Sequence, residues 1–305
     1  MTMLNKPSLR RCSLLLIWSL GLMPHALHAR YTLDQAMTVA QVNGIDIAYT
    51  TSGPADGPAV LMVMGLTGSH RLWGEDIVNG LADQGYQVVL FDNRDTGESA
   101  RLDDLGTPLL WWELVKNQFG FNVSAPYSLK DMADDGVALL DLLGISRAHI
   151  VGASMGGMIA QIIAAEYPDR TRSLVSIMST TGAPHLPQPE AQARDGLLGM
   201  VDNEGDAEVR LEAIGMYPQA LPRQLMAIIA AGDRSEQVGS ISAPTLVVHG
   251  AQDTLLKPRH GEHTHELIAG SKFLVYPEMG HNLPSAVVPQ MVSAMSAHFA
   301  GAAGN

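Results

Sequence analysis

Three residues, far apart in the chain, have the types and surroundings that acyl transfer requires: Ser154, Asp253 and His281. Ser154 lies in Ala148-His149-Ile150-Val151-Gly152-Ala153-Ser154-Met155-Gly156-Gly157, which reads as a short buried strand breaking into a helix with the serine at the corner. Such a corner needs small neighbours, because larger side chains would collide with the strand and helix on either side. Gly-x-Ser-x-Gly alone is weak evidence. An apolar strand before it and an Ala/Ile-rich helix after it, Ile159 to Tyr167, make it specific. The helix that starts at the serine favours negative charge at its amino end. A serine hydroxyl is a poor nucleophile until a base takes its proton. That base is expected to be a histidine held in one tautomer by a buried carboxylate.

In a parallel sheet, functional groups gather beyond the carboxyl ends of the strands. Asp253 follows the apolar run Thr245 to His249, and His281 follows Lys272 to Tyr276. The loop after the preceding strand, Ser179-Thr180-Thr181-Gly182, carries no carboxylate, which favours Asp253. His298 falls within the expected final helix and is a poor rival to His281. An oxyanion needs two backbone N–H donors aimed at one point. Met155, directly after the nucleophile, is expected to supply one, and Leu66, in the loop after the Ala59 to Met64 strand, the other. This chemistry calls for no cofactor and no metal. His260, Glu262, His263 and His265 invite a metal reading, but their spacing completes no recognisable ligand set, and a solvated helix face is expected instead.

The elements that must position these groups can be read in order. Asn43-Gly44, between two alternating runs in Val39 to Thr50, signals a hairpin. Ala59 to Met64, Gln87 to Phe91, Ala148 to Ala153, Arg172 to Met178, Thr245 to His249 and Lys272 to Tyr276 read as strands. Helical patterns at Trp73 to Gln84, Leu129 to Leu143 and Pro284 to Phe299 alternate with them, as in crossover units of a parallel sheet. Arg101 to Tyr127 is less regular. Residues 182–242, rich in proline, read as a small helical cap inserted between two strands of one sheet. Trp111, Trp112, Phe119 and Phe121, with Leu197, Leu198, Met200, Met216, Leu225 and Met226 of the cap, could line an apolar substrate pocket or simply pack cap against sheet. The Asp92 to Ser99 turn reads as scaffolding beneath the site.

The 305 residues, 46% hydrophobic, can bury a sizeable core. A net charge of −12 argues against nucleic acid or an anionic membrane surface as the main partner. The first 29 residues have a basic start (Lys6, Arg10, Arg11), an apolar run from Cys12 to Met23, Pro24, and a small residue at Ala29. The run is shorter than the roughly 20 residues that span a bilayer. This is the pattern of a secretory signal peptide, which places the mature domain at 30–305, exported and without a membrane anchor. Its removal would take the net charge from −12 to −15 and discard Cys12, the sole cysteine, leaving no disulfide or thiolate chemistry.

The order Ser154, Asp253, His281 and the glycine-flanked serine resemble those of α/β-hydrolase-fold proteins over nearly the whole chain after the leader. Met62-Val63-Met64-Gly65-Leu66 and Phe91-Asp92-Asn93-Arg94-Asp95-Thr96-Gly97-Glu98-Ser99 are similar to the subgroup that includes aclacinomycin methylesterase, which cleaves carboxylic methyl esters. Many members of the family carry His-Gly where this chain has Met64-Gly65; the glycine is kept and a polar side chain is lost. The resemblance implies a serine hydrolase acting on a small-molecule ester. Serine at the elbow sets it apart from the dehalogenase and epoxide-hydrolase branches, which use aspartate there. Amide, lactone and thioester cleavage share the same tetrahedral intermediate. Cofactor-free haloperoxidases use the same triad, and a ligand-binding homologue that kept the triad is a further alternative.

Overall fold

The computed structural model describes residues 30–302 apart from 122, 203 and 204; the leader expected over residues 1–29, with Cys12, lies outside the described residues. The described residues open with a hairpin, β1 (Thr38–Val42) and β2 (Ile45–Ser52). Its two-residue turn sets Asn43 at φ 50° and Gly44 at φ 81°, the left-handed pair that matches the strands' own twist. Then come β3 (Ala59–Val63), α1 (Gly74–Asp83), β4 (Gln87–Phe91), α2 (Leu110–Gln118), α3 (Leu129–Leu142), β5 (Ala148–Ala153), α4 (Met155–Glu166) and β6 (Thr171–Ile177). A helical insertion follows: α5 (Ala191–Leu198), α6 (Asp206–Ala213), α7 (Leu221–Ala231) and α8 (Ser235–Gly239). β7 (Thr245–Gly250), α9 (Arg259–Leu267), β8 (Lys272–Tyr276) and α10 (Val288–Ala302) complete it.

The eight strands form one sheet in the order β1-β2-β4-β3-β5-β6-β7-β8, antiparallel at β1–β2 and β2–β4 and parallel elsewhere. Alternation along the central strands divides the core between two faces. Leu61 and Val63 of β3 and Ile150 of β5 pack with α3 and α4 on one side. Val60 and Met62 of β3 and Val151 of β5 pack with α1 and α10 on the other. Both faces are covered, so these strands are apolar on both sides, as their continuous hydrophobic runs require. α3 is started by a capping box in which Ser128 and Asp131 satisfy each other's backbone N–H groups. Among the described residues, no helix is long and apolar enough to cross a membrane.

Two expectations need correction. The stretch from Arg101 to Tyr127 contains a helix, α2, but its aromatic residues face outward. Trp111, Trp112, Phe119 and Phe121 are 48–74% exposed, so they line no closed pocket. The inward face of α2 is marked instead by buried Glu113, paired with Lys116 and accepting from the Ser124 N–H. On α9, His260 and His263 are buried rather than solvated. The ring nitrogens of His260 meet Thr180 Oγ1 and the Pro187 carbonyl, and His263 meets Thr181 Oγ1. Two hydroxyls in the loop after β6 thus give this face of α9 an inward polar surface that the sequence pattern does not reveal.

Candidate active site

Ser154 stands between β5 and α4 at φ 55°, ψ −122°. A non-glycine residue held there stores on the order of 1–3 kcal/mol of strain. The surroundings over-determine the bend. The Ser154 N–H donates to the Ile177 carbonyl at 2.9 Å, and the Ser154 carbonyl accepts from the Gly157 N–H and from Ser179 Oγ, each at 2.9 Å. The glycines are required by space: a Cβ at Gly152 would lie 2.1 Å from the Gly156 carbonyl oxygen, and one at Gly156 would lie 2.1 Å from that of Val63. Every residue from Met155 to Ala164 is buried, so α4 runs through the interior with its amino end beneath the serine.

Beyond β7, Asp253 is buried. Its Oδ1 accepts from the backbone N–H groups of Leu255 and Leu256 at 2.9 and 2.8 Å. Its Oδ2 lies 2.7 Å from His281 Nδ1, and His281 Nε2 lies 2.9 Å from Ser154 Oγ. A carboxylate only accepts, so Nδ1 carries the proton and Nε2 is left to accept from the serine hydroxyl. The loops bearing the two groups are tied together by the Ala251 N–H to the Tyr276 carbonyl at 3.0 Å and the Gln252 N–H to the Met279 carbonyl at 2.9 Å. Burial by itself would raise the Asp253 carboxyl. Hydrogen bonding from His249 and His281 and from the Leu256 N–H outweighs it and holds the group well below the usual carboxylate range.

His249 is a contributor that the sequence reading missed. It is fully buried, with Nε2 2.6 Å from the Leu256 carbonyl and 3.5 Å from Asp253 Oδ2, so it braces the acid's loop from behind. The available signal was a lone histidine closing the apolar run of β7.

Of the two expected oxyanion donors, one follows Ser154 in the chain and the other lies in the loop after β3. Met155 is the first residue of α4, so its N–H has no acceptor one turn earlier in its helix. The Leu66 loop closes as a turn, with the Gly68 N–H donating to the Gly65 carbonyl at 3.1 Å. Gly65 passes close enough to the serine that a Cβ there would lie 3.0 Å from Ser154 Cβ. The structure therefore brings Ser154, Asp253 and His281 into one hydrogen-bonded chain and sets the Leu66 loop beside it. His298 lies buried in α10.

A sequence profile of the α/β hydrolase fold matches residues 58–211. The chain belongs to the α/β-hydrolase fold family. Within that family it is 27% identical over 291 residues to the rhodomycin D methylesterase DauP of Streptomyces sp. (strain C5), covering 80% of this chain and 91% of DauP. It is 29% identical over 233 residues to a RutD protein of Variovorax paradoxus (strain S110), provisionally named a carbamate hydrolase, covering 68% of this chain and 79% of that one. Among solved α/β hydrolases, the meta-cleavage product hydrolase CumD of Pseudomonas fluorescens IP01 superposes with a TM-score of 0.65 at 21% identity, over 87% of this chain and 98% of that one. At that identity the superposition speaks for the fold alone.

Proposed function

We propose that the protein is an exported serine esterase that cleaves carboxylic esters of small molecules through an acyl-enzyme. The observation that carries this reading is the unbroken chain Asp253–His281–Ser154, with separations of 2.7 and 2.9 Å. Ser154 Oγ attacks the ester carbonyl as its proton passes to His281 Nε2. Asp253 holds the imidazole in the required tautomer and stabilises the charge it gains. The carbonyl oxygen becomes an oxyanion that the Leu66 and Met155 N–H groups receive. Collapse breaks the C–O bond to the alcohol, which leaves with the proton from His281. Water, deprotonated by the same nitrogen, attacks the acyl-serine, and the acid departs with Ser154 restored. No cofactor enters these steps. The insertion from 182 to 242 serves as the cap over the acyl or alcohol group. The likeness to a rhodomycin D methylesterase supports methyl esters as a substrate class to try first.

The test is turnover of p-nitrophenyl and methyl esters of graded acyl length by the native protein and by Ser154→Ala. Release abolished in the variant is expected, with a chain-length optimum that sizes the pocket. Equal rates in both, on folded samples, would overturn the serine-esterase reading. Export is tested separately by sequencing the amino terminus of the protein recovered from cell fractions. A chain beginning at Arg30 outside the cytoplasm is expected, and an unprocessed cytoplasmic chain overturns it.

A further inference from the structure

Thr67 is the most conspicuous residue of the loop after β3 that the mechanism does not use. It follows Leu66 in the Gly65–Gly68 turn, is completely buried, and sits at φ 60°. A β-branched residue has no intrinsic reason to occupy that region. Left to itself, a turn with threonine at its third position prefers the alternative in which the central peptide is rotated and φ is negative. Something outside the turn must hold it.

What holds it comes from the helical insertion. The Thr67 N–H donates to Gln224 Oε1 at 2.7 Å, and the Thr67 carbonyl accepts from the Tyr217 N–H at 2.8 Å. Both backbone polar groups of this residue are thus taken by the segment between β6 and β7, while its hydroxyl is buried without a hydrogen-bond partner among the described residues. The grip continues along the loop: Gly68 pairs with Met216 in an antiparallel bridge, and the Ser69 N–H donates to the Gly215 carbonyl at 2.8 Å. Gln224 is completely buried, and its amide nitrogen donates on to the Arg94 carbonyl at 3.3 Å in the loop after β4. Beside it, Arg223 forms a paired contact with Asp95, Nη2 to Oδ1 at 2.8 Å and Nε to Oδ2 at 2.5 Å. The amino end of α7 is therefore anchored to the loop beyond β4 before it reaches the loop beyond β3.

We infer that Gln224 is a positioning residue for catalysis: from the insertion, it holds the Gly65–Gly68 turn in its strained form through the Thr67 N–H and thereby keeps the loop that carries the Leu66 N–H, one peptide earlier, in register beside Ser154. The insertion then builds part of the active site as well as covering it. An insertion that shifts away releases the turn and leaves Ser154 with one well-placed donor instead of two. This inference rests on the serine-esterase reading, with Leu66 as the second donor.

The experiment compares Gln224→Met, which keeps the volume and removes both amide bonds, with the parent, Ser154→Ala and the double variant Thr67→Gly/Gln224→Met. The readouts are p-nitrophenyl ester kinetics and amide exchange over residues 65–69. Losing one oxyanion donor outright costs about 10²–10³ in kcat, so a misaimed donor is expected to cost about tenfold to a hundredfold, with KM little changed and faster exchange in the turn. Glycine takes positive φ freely, so the double variant is expected to recover most of the lost kcat. A purely structural role for Gln224 predicts no such recovery. Gln224→Asn, which withdraws the amide by one methylene, gives the same comparison if Gln224→Met does not fold. Unchanged kcat in a folded Gln224 variant, or a loss that Thr67→Gly does not repair, overturns the inference. Turnover that survives Ser154→Ala instead brings down the esterase reading itself.

Discussion

Among the described residues, two histidine–aspartate pairs at the carboxyl end of the sheet have the same contact distance. His281 Nδ1 lies 2.7 Å from Asp253, and His70 Nδ1 lies 2.7 Å from Asp92. In both, the carboxylate is further fixed by backbone N–H groups: Leu255 and Leu256 for Asp253, and His70 and Glu98 for Asp92. The difference lies at the other ring nitrogen. His281 Nε2 meets Ser154 Oγ, and the side chain keeps 19% of its surface open. His70 Nε2 is buried without a hydrogen-bond partner among the described residues, and the ring packs edge-on against Tyr31. An acid–histidine pair is thus a common way to brace two loops. It becomes a base when its far nitrogen reaches a nucleophile at a place a substrate can enter.

That contrast is broken most forcefully at the imidazoles. His281→Ala is expected to lower kcat for an activated ester by about 10⁴-fold or more while leaving the melting temperature within a few degrees. His70→Ala is expected to do the opposite, with kcat within about threefold of the parent and a clear loss of thermal stability, because it leaves the Asp92 carboxylate buried without its side-chain donor. Steady-state kinetics and thermal melts on the two variants check this. Equal losses of kcat would dissolve the distinction between the pairs.

The acids sharpen it. Asp253→Asn is expected to cost about 10³- to 10⁴-fold in kcat, because an amide can stabilise the wrong imidazole tautomer. Asp92→Asn is expected to change kcat little and to destabilise by about 1–3 kcal/mol, since its two oxygens accept from the His70 ring and from the backbone N–H groups of His70 and Glu98, and an amide offers only one acceptor. Denaturant titrations of both variants beside the kinetics give the comparison directly.

The sequence distinguishes these pairs for a physical reason. Ser154, Asp253 and His281 each follow a run that reads as a strand, fully buried in β5 and β7 and largely half-exposed or exposed in the edge strand β8, so their convergence follows from the topology of a parallel sheet. The glycines around Ser154 are legible because the bend leaves no room for a Cβ. Gln224 and His249 are not legible in this way. Gln224 is one polar residue in Leu221–Ala231, where nothing local says that its partner is Thr67, 157 positions away. His249 is a histidine in an otherwise apolar part of β7, one residue before its end, and only the return of the chain at Leu256 supplies its acceptor. The outward aromatics of α2 fail for the converse reason: size and hydrophobicity suggest burial, but the direction a short helix faces is set by what it packs on.

A buried histidine far from the chemistry gives the smallest effect and the finest test. His149 on β5 stacks on Phe299 at 4.3 Å between ring centres, and its Nδ1 lies 2.8 Å from Ser173 Oγ. Burial, reinforced by the positive charge of Arg172, pushes its pKa down to about 3. An unfolded histidine titrates near 6.5, so the unfolded chain takes up a proton between roughly pH 6.5 and 3 that the native chain refuses. The sign follows: the stability this residue contributes is complete above pH 6.5 and drains away as pH falls toward 3, by about 1.4 kcal/mol per pH unit within the window. His149→Leu removes that proton uptake. Its denaturant-derived stability is expected to fall less steeply than the parent's between pH 6 and 4, by about that slope, whatever its absolute value at pH 7. His260, His263 and His298 are also held below their ordinary pKa by burial, so a residual slope persists in the variant. A slope identical to the parent's would mean that His149 is already protonated in the native sheet, and burial would then have failed as the feature that separates a structural histidine from one that must exchange protons.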